Sequence, residues 1–209
     1  MGLELAKKFA VQGDSVIITG RTDLKEESVK FIPLNLSEPE LPKRIEAFVQ
    51  DLPQVDLLVY AAGYYQEGRV TDLSEAEIEE MLDVGARGLI YSVRAVLKKQ
   101  EHLGTLVVIS SSSQWTPRKL EPIYNFVKAG EGHFANAMAE DGRIDKVLVD
   151  GQFGMQTGFW RNIKHPDWDN MLDPKWVAER IIEQLKPDYR YRFIKTHRTP
   201  PKVEVVETR

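Results

Sequence analysis

The feature that most constrains this chain is the regular alternation of short hydrophobic runs with longer segments of helical periodicity. Short β-branched and aliphatic runs are typical of strands buried on both faces of a sheet. We predict strands at 15–19, 31–36, 56–61, 106–110, 146–149 and 203–206, and helices at 2–11, 42–49, 74–99, 122–140 and 173–185. This alternation favours an α/β fold, with one doubly wound parallel sheet between two layers of helices (α/β/α).

The length and composition of the chain fit one domain over residues 1–209. Of its 209 residues 42% are hydrophobic, and no low-complexity tract or linker interrupts them. The formal net charge of −4 does not indicate nucleic-acid binding. The absence of cysteine excludes disulfides and thiolate metal sites. No apolar run approaches the ~18 residues that span a bilayer. We therefore expect a cytoplasmic protein without a membrane partner.

The basic and aromatic stretch at 186–202 has two interpretations. Basic and aromatic residues together bind single-stranded nucleic acid, but the period-two alternation of YRYRF equally predicts an amphipathic surface strand. Because the chain is acidic overall, we favour the strand and expect no nucleic-acid partner. The four histidines lack metal-ligand spacing, so we expect no metal site; they are His102, His133, His165 and His197.

The strongest chemical signal follows the predicted strand at 106–110. Three serines begin with Ser111, and Tyr124 and Lys128 fall in the next predicted helix. Positions i and i+4 share a helix face, so the phenol and the ammonium project together. A neighbouring cation lowers the pKa of a phenol toward a value useful in acid–base catalysis, while a serine hydroxyl can hold the reacting oxygen. Taken singly, these patterns also fit an ordinary loop and an ordinary helix.

Together with motifs elsewhere, this arrangement resembles the short-chain dehydrogenase/reductase family over nearly the whole chain. GLELAKKFA, VIITGR and PLNL are similar to the family's first helix, second strand and third strand, and DLLVYAAG to its fourth strand with the Asn-Asn-Ala-Gly motif. VVISS with Tyr124 and Lys128 resembles the active site, GMQTGFW the Pro-Gly-Gly-Met-x-Thr-x-Phe-Trp segment, and DPKWVAERI a late helix. The resemblance implies a Rossmann-like fold and hydride transfer between a nicotinamide and a carbonyl or alcohol carbon.

The resemblance also assigns roles to residues of this chain. Tyr124 would be the acid/base, Lys128 would hold the nicotinamide ribose and lower the pKa of Tyr124, and Ser111 would orient the substrate oxygen. Thr157 would lie near the nicotinamide and the phosphates. The other implied cofactor contacts are Gly2, Asn35, Leu36, Ala61, Ala62 and Gly63.

Arg21 bears on the choice of cofactor. It follows the predicted strand at 15–19, where folds of this kind read the 2′-position of the cofactor. An acidic residue there favours NAD, whereas a guanidinium suits a 2′-phosphate. We expect NADP(H) rather than NAD(H); the alternative is that Arg21 is an ordinary solvated side chain.

The sequence departs most from the family pattern at its beginning. It starts inside a predicted helix, without the family's first strand and glycine-rich Thr-Gly-x-x-x-Gly-x-Gly loop, and Gly2 aligns with the last glycine of that loop. We expect an N-terminally truncated form of the fold, from a truncated gene, a start codon placed too late, or a degenerate family member. That strand would lie between 15–19 and 56–61, so these strands must close up or leave backbone groups unpaired.

Three further departures affect the predicted site. The Asn-Asn-Ala-Gly motif reads YAAG at 60–63, and Gln152-Phe153 replaces the Pro-Gly that precedes the cofactor threonine. The asparagine of the family's proton relay aligns with Gly85, where water could substitute for it. The cofactor site is therefore altered more than the catalytic residues.

Two functional hypotheses remain open on the sequence. The intact set of Ser111, Tyr124 and Lys128 favours an NADP(H)-dependent oxidoreductase of small carbonyl or alcohol substrates, whereas the departures favour a catalytically silent relative that acts as a binding or regulatory module. The helices at 74–99 and from 122 resemble the pair through which family members associate, so we expect a homodimer or homotetramer. Trp160, Trp168 and Trp176 line the substrate pocket or pack in the core, and the substrate itself has no sequence code.

Overall fold

The computed structural model describes residues 1–160 and 167–209. The helices are α1 (Gly2–Val11), α2 (Leu41–Gln50), α3 (Glu75–Met81), α4 (Gly88–Gln100), α5 (Pro122–Met138) and α6 (Pro174–Leu185). The strands are β1 (Ile17–Gly20), β2 (Lys30–Pro33), β3 (Leu57–Tyr60), β4 (Leu103–Ser111), β5 (Ile144–Gln152), β6 (Tyr191–Arg198) and β7 (Pro201–Thr208). A π-helical segment, Leu82–Arg87, joins α3 to α4, and short 3₁₀ turns lie at Ser112–Gln114, Gly158–Trp160 and Trp168–Asn170.

The predicted α/β fold with a mainly parallel sheet is confirmed, but the sheet is divided. β1 and β2 form a parallel pair, while β3, β4, β5 and β6 run parallel in a second sheet that β7 extends in the antiparallel direction. Within the described residues, no ladder of hydrogen bonds joins β1 to β3. Of the two alternatives given above for these strands, the structure therefore shows the second: they do not close up on each other.

Alternate residues of β4 show how helices cover both faces of the larger sheet. Leu106 and Val108 pack into a buried cluster with α2, α4 and α5. Val107 and Ile109 pack on the opposite face with α1 and α6. Successive residues of a strand point to opposite faces, so a continuous apolar run is buried on both sides. The three-layer α/β/α arrangement follows from this packing.

Local sequence signals account for the ends of several helices. Ser74 and Glu77 form a reciprocal capping box at the start of α3, each side chain bonding the other residue's backbone N–H. The side chain of Asp173 accepts a hydrogen bond from the backbone N–H of Lys175 at the start of α6. Beyond α1, Gly13 adopts a φ of 94°, a conformation that favours glycine. These contacts agree with the predicted helix boundaries.

Two predicted elements differ from the observed ones. The helix predicted at 74–99 is interrupted by the π-helical segment, in which Gly85 passes close to α5: a Cβ there would lie 2.2 Å from Val127 Cγ1. The basic and aromatic stretch forms β6, but this strand lies inside the sheet rather than on the surface. β5 and β7 pair with it on both sides, and Tyr191 and Ile194 are buried in the clusters that pack on the faces of the sheet.

The described ranges contain no group of three or more histidine and acidic side chains arranged to hold a metal. In the same ranges, no helix has the length and apolar character needed to cross a membrane. His165, one of the four histidines considered above, lies outside the described residues.

Candidate functional site

The structure brings Ser111, Tyr124 and Lys128 together at the carboxyl end of β4. Ser111 is the last residue of the strand, and α5 packs against β4 so that its first two turns face that end. The hydroxyl of Ser111, which bonds to Ser113, also lies near enough to the Tyr124 phenol to lower its pKa. The Lys128 ammonium lies 5.6 Å from the centre of the Tyr124 ring. The i, i+4 spacing therefore places the phenol and the ammonium side by side, as the sequence predicts.

Burial dominates the electrostatics of Tyr124, which is 8% exposed. Loss of solvent raises the pKa of its phenol above the usual value, while the charge of Lys128 and the nearby hydroxyl of Ser111 act in the opposite direction. The lysine therefore favours the phenolate, as expected. The predicted net lowering of the Tyr124 pKa is wrong for this structure, because desolvation outweighs the neighbouring cation.

Lys128 is itself paired with a buried carboxylate that the sequence analysis missed. Its Nζ donates hydrogen bonds to Glu131 Oε1 at 3.1 Å and to Oε2 at 2.9 Å, and both side chains are buried. Burial lowers the pKa of Lys128, but Glu131 and Tyr124 together raise it above its usual value. The i, i+3 spacing on the predicted helix was the available signal, since it places Glu131 on the same face as Lys128.

A network of polar side chains fixes the loop that joins β4 to α5. Arg118 donates to the hydroxyls of Ser112 and Ser113, at 2.8 and 2.6 Å. The Ser113 hydroxyl donates to Glu121, and the Asn125 amide donates to the backbone carbonyl of Ser113. Buried polar groups satisfied in this way rigidify their surroundings. The loop therefore holds the strand end and the start of α5 in a fixed relation.

Two aromatic side chains contact Tyr124 and a third packs on both of them; we call Tyr65, Phe159 and Trp160 the aromatic cap. Tyr65 meets the Tyr124 ring edge to face, with centroids 5.0 Å apart, and the Phe159 ring lies at 6.3 Å. Trp160 packs against both other members of the cap. Such contacts add specific geometry to apolar burial. The cap gives the site an apolar wall on the side of the phenol.

The three tryptophans considered in the sequence do not form one group. Trp160 belongs to the aromatic cap, whereas Trp168 is exposed. Trp176 lies on α6, against the buried cluster on that face, with the Arg180 guanidinium over its ring. Only one of the three therefore lies beside the candidate site.

Gly63 leaves room next to the buried ammonium. A Cβ on Gly63 would lie 3.7 Å from Lys128 Nζ and 3.5 Å from the Phe159 ring. Close to Gly63 in the chain, Ala61 approaches Gly2: a Cβ on Gly2 would lie 3.4 Å from the Cβ of Ala61. Ala62 packs against the buried cluster that contains α2, α4 and α5. The two distances from Gly63 are ordinary contacts, so Gly63 brings backbone without a side chain up to the ammonium, and the Phe159 ring closes the space on its other side.

The other predicted cofactor residues engage other parts of the chain. Arg21 Nη1 donates to Glu80 on α3 at 3.1 Å, in an exposed ion pair. The Asn35 side chain bonds locally, accepting from the backbone N–H of Ser37, and Leu36 packs against a buried cluster. These side chains therefore contact other residues of this chain at the positions where the sequence predicts contacts with the cofactor.

An aromatic contact and hydrogen bonds of the backbone hold the segment after β5. Phe153 stacks on His197, with ring centroids 5.3 Å apart, and its N–H bonds the backbone carbonyl of Thr196. Farther on, the Thr157 hydroxyl accepts a hydrogen bond from the backbone N–H of Phe159. The predicted cofactor threonine thus lies at the base of the aromatic cap.

The known proteins that this chain resembles, in sequence and in fold, are dehydrogenases and other oxidoreductases. A family model described as short chain dehydrogenase matches residues 1–153. An uncharacterized oxidoreductase of Staphylococcus aureus is 25% identical over 198 residues, covering 88% of this chain and 86% of that protein. Among solved structures, an alcohol dehydrogenase from the archaeon Thermococcus sibiricus, complexed with 5-hydroxy-NADP, has a TM-score of 0.81 at 21% identity and covers 97% of this chain and 94% of its own.

A second solved structure has a similar fold. A short-chain dehydrogenase from Sphingobium yanoikuyae, in complex with NADPH, has a TM-score of 0.78 at 18% identity, covering 93% of this chain and 82% of that one. At such identities the structural likeness shows the fold alone. The family model matches residues 1–153, more than half of the chain, so the chain is similar to this family in sequence as well as in fold.

Proposed function

Because the chain belongs to the short-chain dehydrogenase family of oxidoreductases, we propose that it transfers a hydride between a nicotinamide cofactor and a carbonyl or alcohol carbon. One observation carries this proposal: the buried phenol of Tyr124 lies near the hydroxyl of Ser111 and has the Lys128 ammonium beside it. A positioned phenol with these two neighbours can exchange a proton with a substrate oxygen.

In the proposed mechanism, the residues of the chain manage the proton and the substrate oxygen. The bound nicotinamide supplies the hydride in reduction and accepts it in oxidation. Tyr124 donates its phenolic proton to the carbonyl oxygen during reduction and takes a proton from the alcohol during oxidation. The Ser111 hydroxyl donates a hydrogen bond to the same oxygen, and Lys128 stabilises the phenolate that the transfer leaves.

We propose that Lys128 and Gly63 would hold the nicotinamide ribose. Gly63 has no side chain and lies beside the ammonium, which supports this proposal. The Phe159 ring also lies against Gly63, so we propose that this ring moves aside when the cofactor binds. Along the rest of the sheet edge, Gly2, Ala61, Ala62 and Thr157 would contact the phosphates and nicotinamide, and Asn35 and Leu36 the adenine.

We propose NADP(H) rather than NAD(H) as the cofactor. Arg21 follows β1 and offers a guanidinium to a 2′-phosphate. Relatives of similar fold have been solved with 5-hydroxy-NADP and with NADPH. In this chain Arg21 is paired with Glu80, so the phosphate must compete with a carboxylate. The pair is exposed and therefore weak, which leaves the guanidinium accessible to the phosphate.

The substrate we propose is a small carbonyl compound or alcohol with an apolar portion. The aromatic cap beside Tyr124 supports an apolar portion, because aromatic side chains commonly line ligand sites around a few polar groups. We propose neither a nucleic-acid nor a membrane partner.

We also propose that two or four copies associate through α4 and α5. Ile90 on α4 and Phe126 on α5 are exposed large apolar side chains, 40% and 67% accessible, which supports this surface. Phe126→Asp would yield a monomer by light scattering if copies associate there. A wild-type chain that is already monomeric would contradict the proposal.

The second candidate is a silent relative that binds a small molecule without turnover. The aromatic cap over Tyr124 and the ion pair of Arg21 with Glu80 favour it, since both occupy surfaces that a cofactor would use. A fluorescence titration with NADPH, with NADH in parallel, separates the two candidates. The oxidoreductase predicts NADPH binding that weakens in Lys128→Met, whereas a folded wild-type chain that binds neither nucleotide supports the silent module.

A further inference from the structure

The carboxylate of Glu131 is the buried charged group that the proposed chemistry does not use. We infer that Glu131 is a positioning residue, the counter-ion that keeps Lys128 charged and fixed beside Tyr124. Its importance for catalysis rests on the proposed function, because Glu131 acts only through Lys128. The ion pair itself can be tested without any turnover.

The Lys128 ammonium makes three hydrogen bonds within the chain. Nζ donates to both carboxylate oxygens of Glu131, at 3.1 and 2.9 Å, and it also lies 3.4 Å from the backbone carbonyl of Ile109. The side chains of the pair are 4% and 0% exposed. A buried ammonium and a buried carboxylate each depend on the other, since either one alone is strongly destabilised away from water.

Gly85 explains how the carboxylate fits. A Cβ on Gly85 would lie 2.2 Å from Val127 Cγ1 and 3.2 Å from Glu131 Oε1, so no other side chain fits there without displacing α5. The family resemblance implies an asparagine at this position of the neighbouring helix. In this chain the polar group nearest that position comes from α5 instead, and it contacts the ammonium directly. The glycine and the glutamate thus form one structural unit.

The other ionisable groups around the pair are Tyr124, Tyr60 on β3 and Glu121 at the start of α5. The Tyr60 hydroxyl donates to the backbone carbonyl of Val84, and burial together with Glu131 raises its pKa well above the usual value, so it stays neutral. Glu121 influences Tyr124 but is held by Ser113 and Arg118 in the loop. Lys128 is therefore the cation that balances Glu131.

Removal of the Glu131 charge should cost Lys128 its proton near neutral pH. Burial alone lowers the pKa of a lysine, and the variant Glu131→Gln keeps the shape of the side chain without the compensating charge. Unfolded Lys128 would remain protonated up to about pH 10, so the unfolded state would bind one more proton than the folded state. The stability of Glu131→Gln should therefore increase as the pH rises above neutrality.

The experiment is denaturant unfolding of Glu131→Gln between about pH 7 and pH 9, with Lys128→Met/Glu131→Gln as the matched control. We expect the unfolding equilibrium constant of the single variant to fall about tenfold per pH unit relative to the double variant, the dependence for one proton. If Glu131 only fills space, the single variant would be destabilised equally at every pH. That result would overturn the inference.

A second readout follows Tyr124 directly. The absorbance of its phenolate near 295 nm is obtained by subtracting the titration of the matched Tyr124→Phe protein. The phenolate should appear at higher pH in Glu131→Gln than in the wild type, because loss of the lysine charge outweighs loss of the glutamate charge, which itself raises the pKa of the phenol. A titration that is unchanged or shifted to lower pH would contradict the proposed role of Glu131. Since neither readout needs turnover, failure of the inference and failure of the proposed function are separate results.

Lys128→Met tests the same pair from its other side and serves if Glu131→Gln does not fold. Burial then raises the pKa of the unpaired Glu131, so the folded state holds a proton that the unfolded state loses. Its stability should fall as the pH rises from about 5 to about 8 relative to the double variant. A flat difference between the two would contradict the inference.

Discussion

The region around β4 and α5 and the region around β1 are held in place very differently. Leu106, Val107 and Val108 of β4 are fully buried, whereas no residue of β1 belongs to the buried clusters found among the described residues. Near β4 the polar groups are buried and cross-linked by hydrogen bonds. Near β1 the main polar contact is the exposed pair of Arg21 with Glu80.

This difference separates two tasks of the proposed enzyme. The proton-transfer groups lie on the rigid core, where their geometry is fixed before any ligand binds, as efficient catalysis requires. The groups proposed for the adenosine end of the cofactor follow the two strands of the small sheet, which in the described residues shares no strand pairing with the core sheet. We therefore expect substitutions near β4 to affect rate and stability strongly, and substitutions near β1 to affect cofactor affinity modestly.

The largest expected effect belongs to the phenol. Tyr124→Phe removes the proton donor while keeping the aromatic contacts, so turnover should fall about 10²- to 10⁴-fold, the usual contribution of a general acid or base. Ser111→Ala is the comparison and should lose less, because Tyr124 can still donate its proton. Steady-state rates with NADPH, with circular dichroism to check the fold, measure both. A Tyr124→Phe protein with wild-type turnover would refute the assigned mechanism.

Core substitutions sharpen the comparison in terms of stability. Leu148→Ala on β5 should cost about 2–5 kcal/mol of unfolding free energy, since the side chain is fully buried against α1 and α6. Ile18→Ala on β1 should cost clearly less, because this residue is half-buried and outside both large clusters. Denaturant unfolding at one pH measures both values. Equal costs would show that the small sheet is packed as tightly as the core.

Asp150 gives the core region a pH dependence of its own. Thr196 donates to its Oδ1 at 2.7 Å, Oδ2 is buried without a hydrogen-bond partner among the described residues, and burial raises the pKa of the carboxyl group from 3.8 to about 7. The folded state thus holds a proton that the unfolded state loses above about pH 4. Stability should fall by about 1.4 kcal/mol per pH unit between about pH 5 and pH 7. Asp150→Asn should remove this slope in parallel unfolding curves, and an unchanged slope would assign it to other groups.

The smallest effect is expected at the exposed cofactor end. Arg21→Ala should weaken NADPH binding about fivefold and leave NADH binding unchanged, the scale of an exposed charge pair of about 1 kcal/mol. Glu80→Gln is the matched opposite variant and should strengthen NADPH binding, since it frees the guanidinium. Fluorescence titrations with both nucleotides give the four affinities. Equal changes for NADPH and NADH would show that Arg21 does not contact the 2′-phosphate.

The local features of the molecule were predictable from sequence, and several long-range ones were not. The capping box at Ser74 and the shared helix face of Tyr124 and Lys128 depend on residues three or four positions apart, so local spacing specifies them. The contact of Phe159 with Tyr124 and the pairing of Arg21 with Glu80 join distant segments. Only the packing of those segments creates these contacts, and a single sequence does not encode that packing in any short pattern.

The net effect on Tyr124 shows the same limit in energetic terms. The spacing correctly predicts that Lys128 opposes the rise in the phenol's pKa, but the degree of burial, which outweighs the lysine, depends on Tyr65 and the rest of the aromatic cap. Burial is set by contacts among distant segments. The direction of the lysine's influence was therefore predictable, whereas the balance between this influence and burial was not.

The most direct test of the central claim is hydride transfer itself. The wild-type protein would be incubated with 4-deuterated NADPH and a panel of small apolar aldehydes and ketones, and the alcohols analysed by mass spectrometry. We predict deuterium on the carbinol carbon with wild-type protein and at most trace amounts with Tyr124→Phe. A folded wild-type protein that binds NADPH yet transfers no deuterium to any substrate, or a Tyr124→Phe protein that transfers it equally well, would contradict the account.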